Sequence, residues 1–299
     1  MTVLAVFALI ILGGVVRVTG SGLGCPDWPL CYGKLLPPLE FTAIIEYTHR
    51  LVASAIVGPL ILLTCATVWW AHRREPWLLI PATLSVVLLI GQALLGGVTV
   101  LQELPGEIVA AHLAVAEALL ACLLLLTVVA FRGPPLLRPH KSQDESADRF
   151  PMLAVIAAVG VYFLILSGSI VTSSGATAAC VTWPLCQGEL FPQQLLAAIH
   201  MGHRFIAAVI GLLVLYVAHL GFRSKERPLE VRLLSMMVAA LFVVQMAVGA
   251  VTIFARFPTE LMALHLAMGT AVWGTIATLA ILALTRQPAA GPAPKGARL

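Results

Sequence analysis

Four of the eight histidines form two pairs that repeat along the chain, and their spacing suits them to hold a cofactor. His49 and His112 in the first half correspond to His203 and His265 in the second, 154 and 153 positions later. Paired imidazoles on facing helices of a four-helix bundle hold a flat haem from both sides. A tetrahedral zinc site would need further ligands at a spacing that this sequence does not offer. The pattern therefore predicts bis-His haem ligation in each half.

A carboxylate accompanies the first histidine pair only. Glu46 lies three residues before His49, so both side chains share one helix face, with the carboxylate toward the outer end. The corresponding residue in the second half is His200. This difference favours proton chemistry in the first half alone. The alternative is that Glu46 only stabilises a helix N-terminus.

Three arginines lie close to the predicted ligands. Arg50 and Arg204 each directly follow a histidine of the pairs, and Arg17 ends the first apolar segment, where the second half has Thr172. A guanidinium group binds a carboxylate through two parallel hydrogen bonds, so these residues are predicted to bind haem propionates. The alternative for each is an arginine that extends to the membrane interface.

Four of the six cysteines lie in predicted outer loops and form two equally spaced pairs, Cys25 with Cys31 and Cys180 with Cys186. An oxidising compartment permits disulfides there. The spacing differs from the C-x-x-C of thioredoxin-type catalysts. We predict disulfide bonds in both loops, either structural or, for one of them, exchanging thiols.

Three further polar residues fall within apolar segments. Gln92 and Gln245 are matched between the halves, and Glu117 lies five residues beyond His112. Such residues usually form hydrogen bonds between membrane helices, which is the prediction here. A proton path through Glu117 is the alternative.

The elements that position these residues are long apolar segments. Charged residues make up 11% of the 299 residues, against roughly 25% in soluble domains, and apolar residues make up 60%. Eight charge-poor segments are long enough to be membrane helices: 2–18, 42–71, 77–100, 107–131, 151–173, 194–222, 230–254 and 260–285. The first resembles a secretory signal but lacks a basic start and an A-x-A cleavage site.

Four helices per repeat make the two copies parallel, because an even number returns the chain to the same side. The predicted fold is an all-α polytopic membrane protein with eight transmembrane helices in two pseudo-symmetric parallel four-helix bundles. Its predicted parts are an N-terminal bundle (1–131), a cytoplasmic linker (132–150), a C-terminal bundle (151–285) and a disordered tail (286–299).

The basic residues predict the orientation. One set of loops, with the tail, carries 13 of the 18 Lys and Arg residues, so that side is predicted to be cytoplasmic, with both termini. The net charge of +4 is explained by this distribution, and no nucleic-acid partner is predicted.

Two motifs carry a resemblance to a known family. GGVVRVTGSGLGCPDWPLC with EYTHR in the first half, and CVTWPLC with HMGHR in the second, resemble the haem A synthase family over about residues 13–285. The resemblance includes the eight helices, the duplicated His and Cys pairs and the single-copy Glu46.

The resemblance implies oxidation of the C8 methyl group of haem O to a formyl group, which gives haem A for terminal oxidases. It implies that His49 and His112 flank the substrate haem with Glu46 beside it, and that His203 and His265 hold a permanent haem b. It also implies residence in the cell membrane and the following partners: an electron donor, a haem O synthase and the terminal oxidase assembly.

Two other classes of protein would show similar features. A di-haem cytochrome b that only carries electrons, as in a quinol oxidoreductase, would have the same His pairs, but it usually places its haems near opposite membrane faces. A transporter would have parallel repeats but also helices broken at mid-depth, and Gly58-Pro59 is the one strong break here.

Overall fold

The computed structural model describes residues 1–134 and 148–285, which form eight long helices in chain order. They are α1 (Thr2–Val18), α2 (Phe41–Ala71), α3 (Pro76–Leu101), α4 (Gly106–Arg132), α5 (Phe150–Ser173), α6 (Leu195–Arg223), α7 (Leu229–Phe254) and α8 (Thr259–Leu284). The described ranges contain no strand beyond two isolated bridges, Cys31 with Lys34 and Cys186 with Glu189.

The helix boundaries agree with the predicted segments to within one residue, because charged and proline-rich turns limit the apolar segments. Seven of the described helices, α2 to α8, are long and apolar enough to cross a membrane, and the chain is a multi-pass membrane protein. Helix α1 is apolar but has only 17 residues. Most of the predicted linker (135–147) and the predicted tail (286–299) lie outside the described residues.

The break predicted at Gly58-Pro59 is a local widening of helix α2. The six residues Val52–Val57 form a π-helical segment, and the N–H of Gly58 donates to the carbonyl of Ala53, five residues back. Pro59 has no N–H to continue the usual ladder, and a π-bulge is one way for a helix to accommodate that loss. Helix α2 thus continues past the proline as one membrane-length element.

The helix contacts of the two halves correspond. Helix α4 packs against α1, α3, α5 and α8, and helix α8 packs against α5, α7, α1 and α4. The two helices that carry His112 and His265 therefore also form the centre of the molecule. Their core is apolar, with fully buried side chains such as Leu120, Leu123, Ile276 and Leu279.

Two hydrogen bonds at Glu117 join the two central helices. Glu117 on α4 is completely buried, and its Oε1 accepts a hydrogen bond of 2.7 Å from Thr270 Oγ1 on α8. The indole N–H of Trp273 donates to the backbone carbonyl of Glu117 at 3.2 Å. Glu117 and Thr270 each lie five residues beyond a repeated histidine, so matched positions of the two halves meet here. The predicted interhelical hydrogen bond of Glu117 is confirmed.

Candidate functional site

Each of the four repeated histidines lies against a glycine of a neighbouring helix. A Cβ atom built on Gly13, Gly96, Gly168 or Gly249 would lie 3.1, 3.3, 3.2 or 2.9 Å from Cε1 of His49, His112, His203 or His265, respectively. A larger residue at any of these positions would push the imidazole aside. The four glycines also match between the halves, Gly13 with Gly168 and Gly96 with Gly249.

The histidines meet in the predicted pairs. His49 on α2 lies within electrostatic range of His112 on α4, and His203 on α6 lies within range of His265 on α8. Both pairs lie within the first three turns of their helices, at the same end of the molecule as the cysteine loops. The structure therefore brings together two equivalent pairs of imidazoles at one depth.

The donor set fits a haem. The Nδ1 atoms of His49, His112 and His265 are buried, and no hydrogen-bond partner for them exists among the described residues. Buried polar groups without partners are rare, so these three imidazoles are not ordinary hydrogen-bonded core histidines. No group of three or more His, Cys, Asp or Glu side chains suited to a metal ion occurs in ranges 1–134 and 148–285. Two opposed imidazoles are the set that haem iron accepts.

A glutamine accompanies the second histidine of each pair. Gln92 Nε2 lies 3.3 Å from His112 Nε2, and Gln245 Nε2 lies 3.5 Å from His265 Nε2 and donates to the His265 carbonyl at 2.9 Å. The predicted interhelical hydrogen bonds of both glutamines are confirmed. Their partners are the candidate ligands, so these residues belong to the site.

Both cysteine pairs are joined as disulfides. The S–S distances are 1.99 Å for Cys25–Cys31 and 2.04 Å for Cys180–Cys186, and all four residues are buried. Each disulfide closes a small loop beside the start of helix α2 or α6. The predicted pairing is therefore present in both halves.

Arg50 and Arg204 each donate hydrogen bonds to backbone carbonyls of the disulfide loop in their own half. Arg50 donates to the carbonyls of Asp27 and Cys25 at 2.7 and 2.8 Å, and Arg204 donates to those of Thr182 and Cys180 at 2.8 and 3.3 Å. Both guanidinium groups thus face the loops, and contact with haem propionates stays a prediction for them. The loop carbonyls could not be identified from sequence, because their direction depends on the path of the loop.

Glu46 connects helix α2 to the first disulfide loop. Its Oε2 accepts the N–H of Cys25 at 2.8 Å, and its Oε1 forms an ion pair with Arg50. The side chain is 3% exposed. In the second half, His200 Nδ1 lies 3.1 Å from the Ala176 carbonyl instead. The two halves differ here in charge, as the sequence indicated.

Arg17 is separate from the other two arginines. With its repeat counterpart Thr172 and with Phe257, it lines a cavity of about 330 Å³ where the outer ends of α1 and α5 meet the turn before α8. Its predicted binding of a propionate stays a prediction.

The Asp27 carboxylate binds two backbone amides of the first loop. It accepts the N–H groups of Gly33 and Tyr32 at 2.7 and 2.6 Å, and these bonds, Gly33 first, lower the pKa of Asp27. Because the pKa of Asp27 is lower in the folded protein, its ionised carboxylate stabilises the fold at pH values above the ordinary pKa of a carboxyl group. This stabilisation is lost as the pH falls through the folded-state pKa of Asp27. The matching residue, Thr182, accepts the N–H of Gln187 through a hydroxyl that does not titrate.

We therefore expect acidification to loosen the first loop and leave the second unchanged. The measurement is hydrogen exchange of the Tyr32 and Gly33 amides against that of Gln187, each divided by its intrinsic rate at that pH. In Asp27→Asn the first loop should lose this pH dependence. Equal acid responses of both loops in the unmodified protein would contradict the assignment.

Sequence reasoning identified the histidines, Glu46 and the cysteines but missed the four glycines and one serine, Ser167. Ser167 Oγ lies 2.7 Å from His203 Nδ1. The signal for the glycines was present in the repeat, since Gly13 and Gly96 have glycine counterparts 155 and 153 positions later, within one position of the offsets of their histidines. Ser167 has no such signal, because its counterpart is Leu12.

The fold and this site define a multi-pass helical membrane protein with two matched histidine pairs beneath disulfide-closed loops. The family model of the cytochrome oxidase assembly proteins, COX15-CtaA, matches residues 1–44 and 39–277. The chain belongs to this family.

Curated relatives match over most of their length. A heme A synthase of Exiguobacterium sp. (strain ATCC BAA-1283 / AT1b) is 31% identical over 280 residues, which cover 92% of this chain and 89% of the relative. A heme A synthase of Geobacillus thermodenitrificans is 31% identical over 297 residues, 96% of this chain and 92% of the relative. One of Geobacillus kaustophilus is 30% identical over 288 residues, with shares of 95% and 89%.

Proposed function

We propose that this chain is a haem-modifying oxidoreductase that converts haem O to haem A by oxidising the C8 methyl group to a formyl group. The observation that carries the proposal is the duplicated pair of buried imidazoles with a carboxylate beside one pair only. The family membership and the relatives described as heme A synthases support the same activity.

The two halves divide the work in this proposal. His49 and His112 hold the substrate haem O in the N-terminal half (1–131), with Glu46 beside it as the proton-transferring group. His203 and His265 hold a haem b in the C-terminal half (151–285), which supplies one-electron chemistry when bound. Support comes from the fit of the paired imidazoles and from the different residues, Glu46 and His200, at matched positions.

In this proposal α1 also crosses the membrane, in addition to α2 to α8. The eight membrane helices then form two parallel four-helix bundles, one in each half. The corresponding contacts of α4 and α8 support it, since each packs against two helices of its own half and two of the other. We also propose that the disulfide loops face the outside of the plasma membrane and that both termini are cytoplasmic. The disulfides need an oxidising compartment, and 13 of the 18 basic residues lie on the opposite side.

In this proposal, side chains of the protein position the substrate haem and transfer protons. The glycines beside the four imidazoles leave room for each ring to lie close to the backbone of a neighbouring helix. Arg17, Arg50 and Arg204 lie at the outer end, where their charges would attract the two propionates of a haem. Two successive hydroxylations of the methyl group with dioxygen, followed by loss of water, would consume electrons and protons, so an electron donor and a proton-transferring group are both required. Partners would therefore include that electron donor, the haem O synthase and the oxidase that receives haem A.

The test is the pigment content of cells that produce this chain together with a haem O source. We expect haem A in the extract, and none in cells that have the haem O source alone. An extract that contains haem O and haem b but no haem A, from cells with correctly inserted protein, would favour a di-haem electron carrier. The position of all four histidines at one end of the helices already argues against such a carrier, which usually needs haems near both membrane faces.

A further inference from the structure

Ser167 on α5 contacts the ring of His203. Its Oγ donates to the Leu164 carbonyl at 2.7 Å and lies 2.7 Å from His203 Nδ1. When Nε2 of His203 binds a metal, Nδ1 carries the ring proton and can donate it to Ser167 Oγ, whose own proton goes to the Leu164 carbonyl. The two contacts of the hydroxyl are therefore compatible with metal binding at Nε2.

The first half lacks this hydrogen bond. The residue 155 positions before Ser167 is Leu12, whose side chain cannot accept a proton, and His49 Nδ1 is buried with no partner in the described chain. The two rings otherwise lie alike, since Gly13 and Gly168 approach Cε1 of their histidines at 3.1 and 3.2 Å. Beside the first ligand of each pair, the second half therefore has a hydroxyl group, and the first half has an apolar side chain.

The ring of the second ligand does not show such a difference, since Nδ1 of both His112 and His265 is buried without a partner in the described chain, and the extra bond of Gln245 goes to the backbone carbonyl of His265. Gln92 contacts His112, and Gln245 contacts His265, through the same atoms at 3.3 and 3.5 Å. The asymmetry between the ligand sets is therefore concentrated at His203 and His49.

We infer that Ser167 is a positioning residue that makes His203 a permanent haem ligand, and that Leu12 leaves His49 as the exchangeable ligand. This inference rests on the proposed function, in which one haem stays and the other enters as substrate and leaves as product. A hydrogen bond to the second ring nitrogen fixes the orientation of a ligating histidine and raises its donor strength, and its loss typically costs about 10–100-fold in affinity.

The test compares haem release and redox potential in purified holoprotein that carries haem b and haem O. An excess of apomyoglobin captures released haem, and chromatography separates the two haems at each time point. Ser167→Ala should release haem b about 10–100-fold faster. It should also raise the midpoint potential of haem b, because a weaker donor stabilises the ferric state less. Ser167→Thr keeps the hydroxyl and should resemble the unmodified protein, as should Ser169→Ala two residues further on.

The reciprocal variant tests the other half of the inference. Leu12→Ser offers His49 the missing acceptor and should slow the release of haem O. Unchanged haem b release and potential in Ser167→Ala would overturn the role of Ser167, and unchanged haem O release in Leu12→Ser would overturn that of Leu12. If His203→Ala kept all its haem b, the proposed function of the second half would fail instead. Failure of the inference about Ser167 and Leu12 and failure of the proposed function therefore give different results.

Discussion

Replacing His265 by Ala is expected to remove most of the haem b from the purified protein while the helices still insert. His265 Nδ1 is buried and the ring lies close to Gly249, in a position that the methyl group of alanine cannot reach. Without His265, a bound haem b would keep only His203 of this pair as a protein ligand. The measurement is the low-spin haem b spectrum per mole of protein, together with a protease test of membrane insertion.

His219→Ala is the matched control for this experiment. His219 lies on α6 with His203 but near its other end, where it is exposed, so its replacement should leave the spectrum unchanged. A full low-spin haem b in both the His203→Ala and the His265→Ala variants would show that this pair does not hold the cofactor.

The sequence predicted the helices well because the signal for them is local. A membrane helix must satisfy its backbone internally and present apolar side chains over its whole length, so its ends coincide with the first charges and prolines. The π-helical segment Val52–Val57 was not predicted in detail. Its hydrogen bonds depend on how the backbone absorbs Pro59, and several solutions are compatible with the same residues.

The candidate site was predictable to the extent that it repeats. Duplication singled out the histidines and the cysteines, and it also made the differences at Glu46 and Arg17 visible. The hydrogen bonds of Arg50 and Arg204 to their loops were not predicted, because a guanidinium group near a histidine gives no indication of which carbonyls the loop will turn toward it. The contact between Glu117 and Thr270 also required the packing of α4 against α8, which no local pattern encodes.

Glu46→Gln is expected to abolish haem A formation and leave haem b in place, with haem O accumulating. A glutamine oxygen can still accept the N–H of Cys25, but the amide neither accepts nor releases a proton during oxidation of the methyl group. General acid–base groups typically contribute about 10²–10⁴-fold to a rate, so the product should fall below detection. The measurement is the haem composition of the variant by chromatography.

A structural explanation of the same loss can be separated from the chemical one. Arg50 loses its ion pair in this variant but keeps its hydrogen bonds to the carbonyls of Asp27, Leu30 and Cys25 at 2.7, 3.0 and 2.8 Å. Hydrogen bonds to a charged group contribute about 1.5–3 kcal/mol each, so the loop should stay closed. Hydrogen exchange of the Tyr32 and Gly33 amides measures this directly and should not change.

The matched control is His200→Gln, which makes the same replacement at the equivalent position of the second half. His200 carries no fixed negative charge, and its ring contacts the Ala176 carbonyl, so we expect this variant to retain most of its haem A. A normal yield of haem A from Glu46→Gln would mean that Glu46 only anchors the disulfide loop through Cys25 and Arg50. An equal loss in both variants would mean that the two positions act through the loops, since only Glu46 lies beside the histidine pair that is proposed to hold the substrate haem.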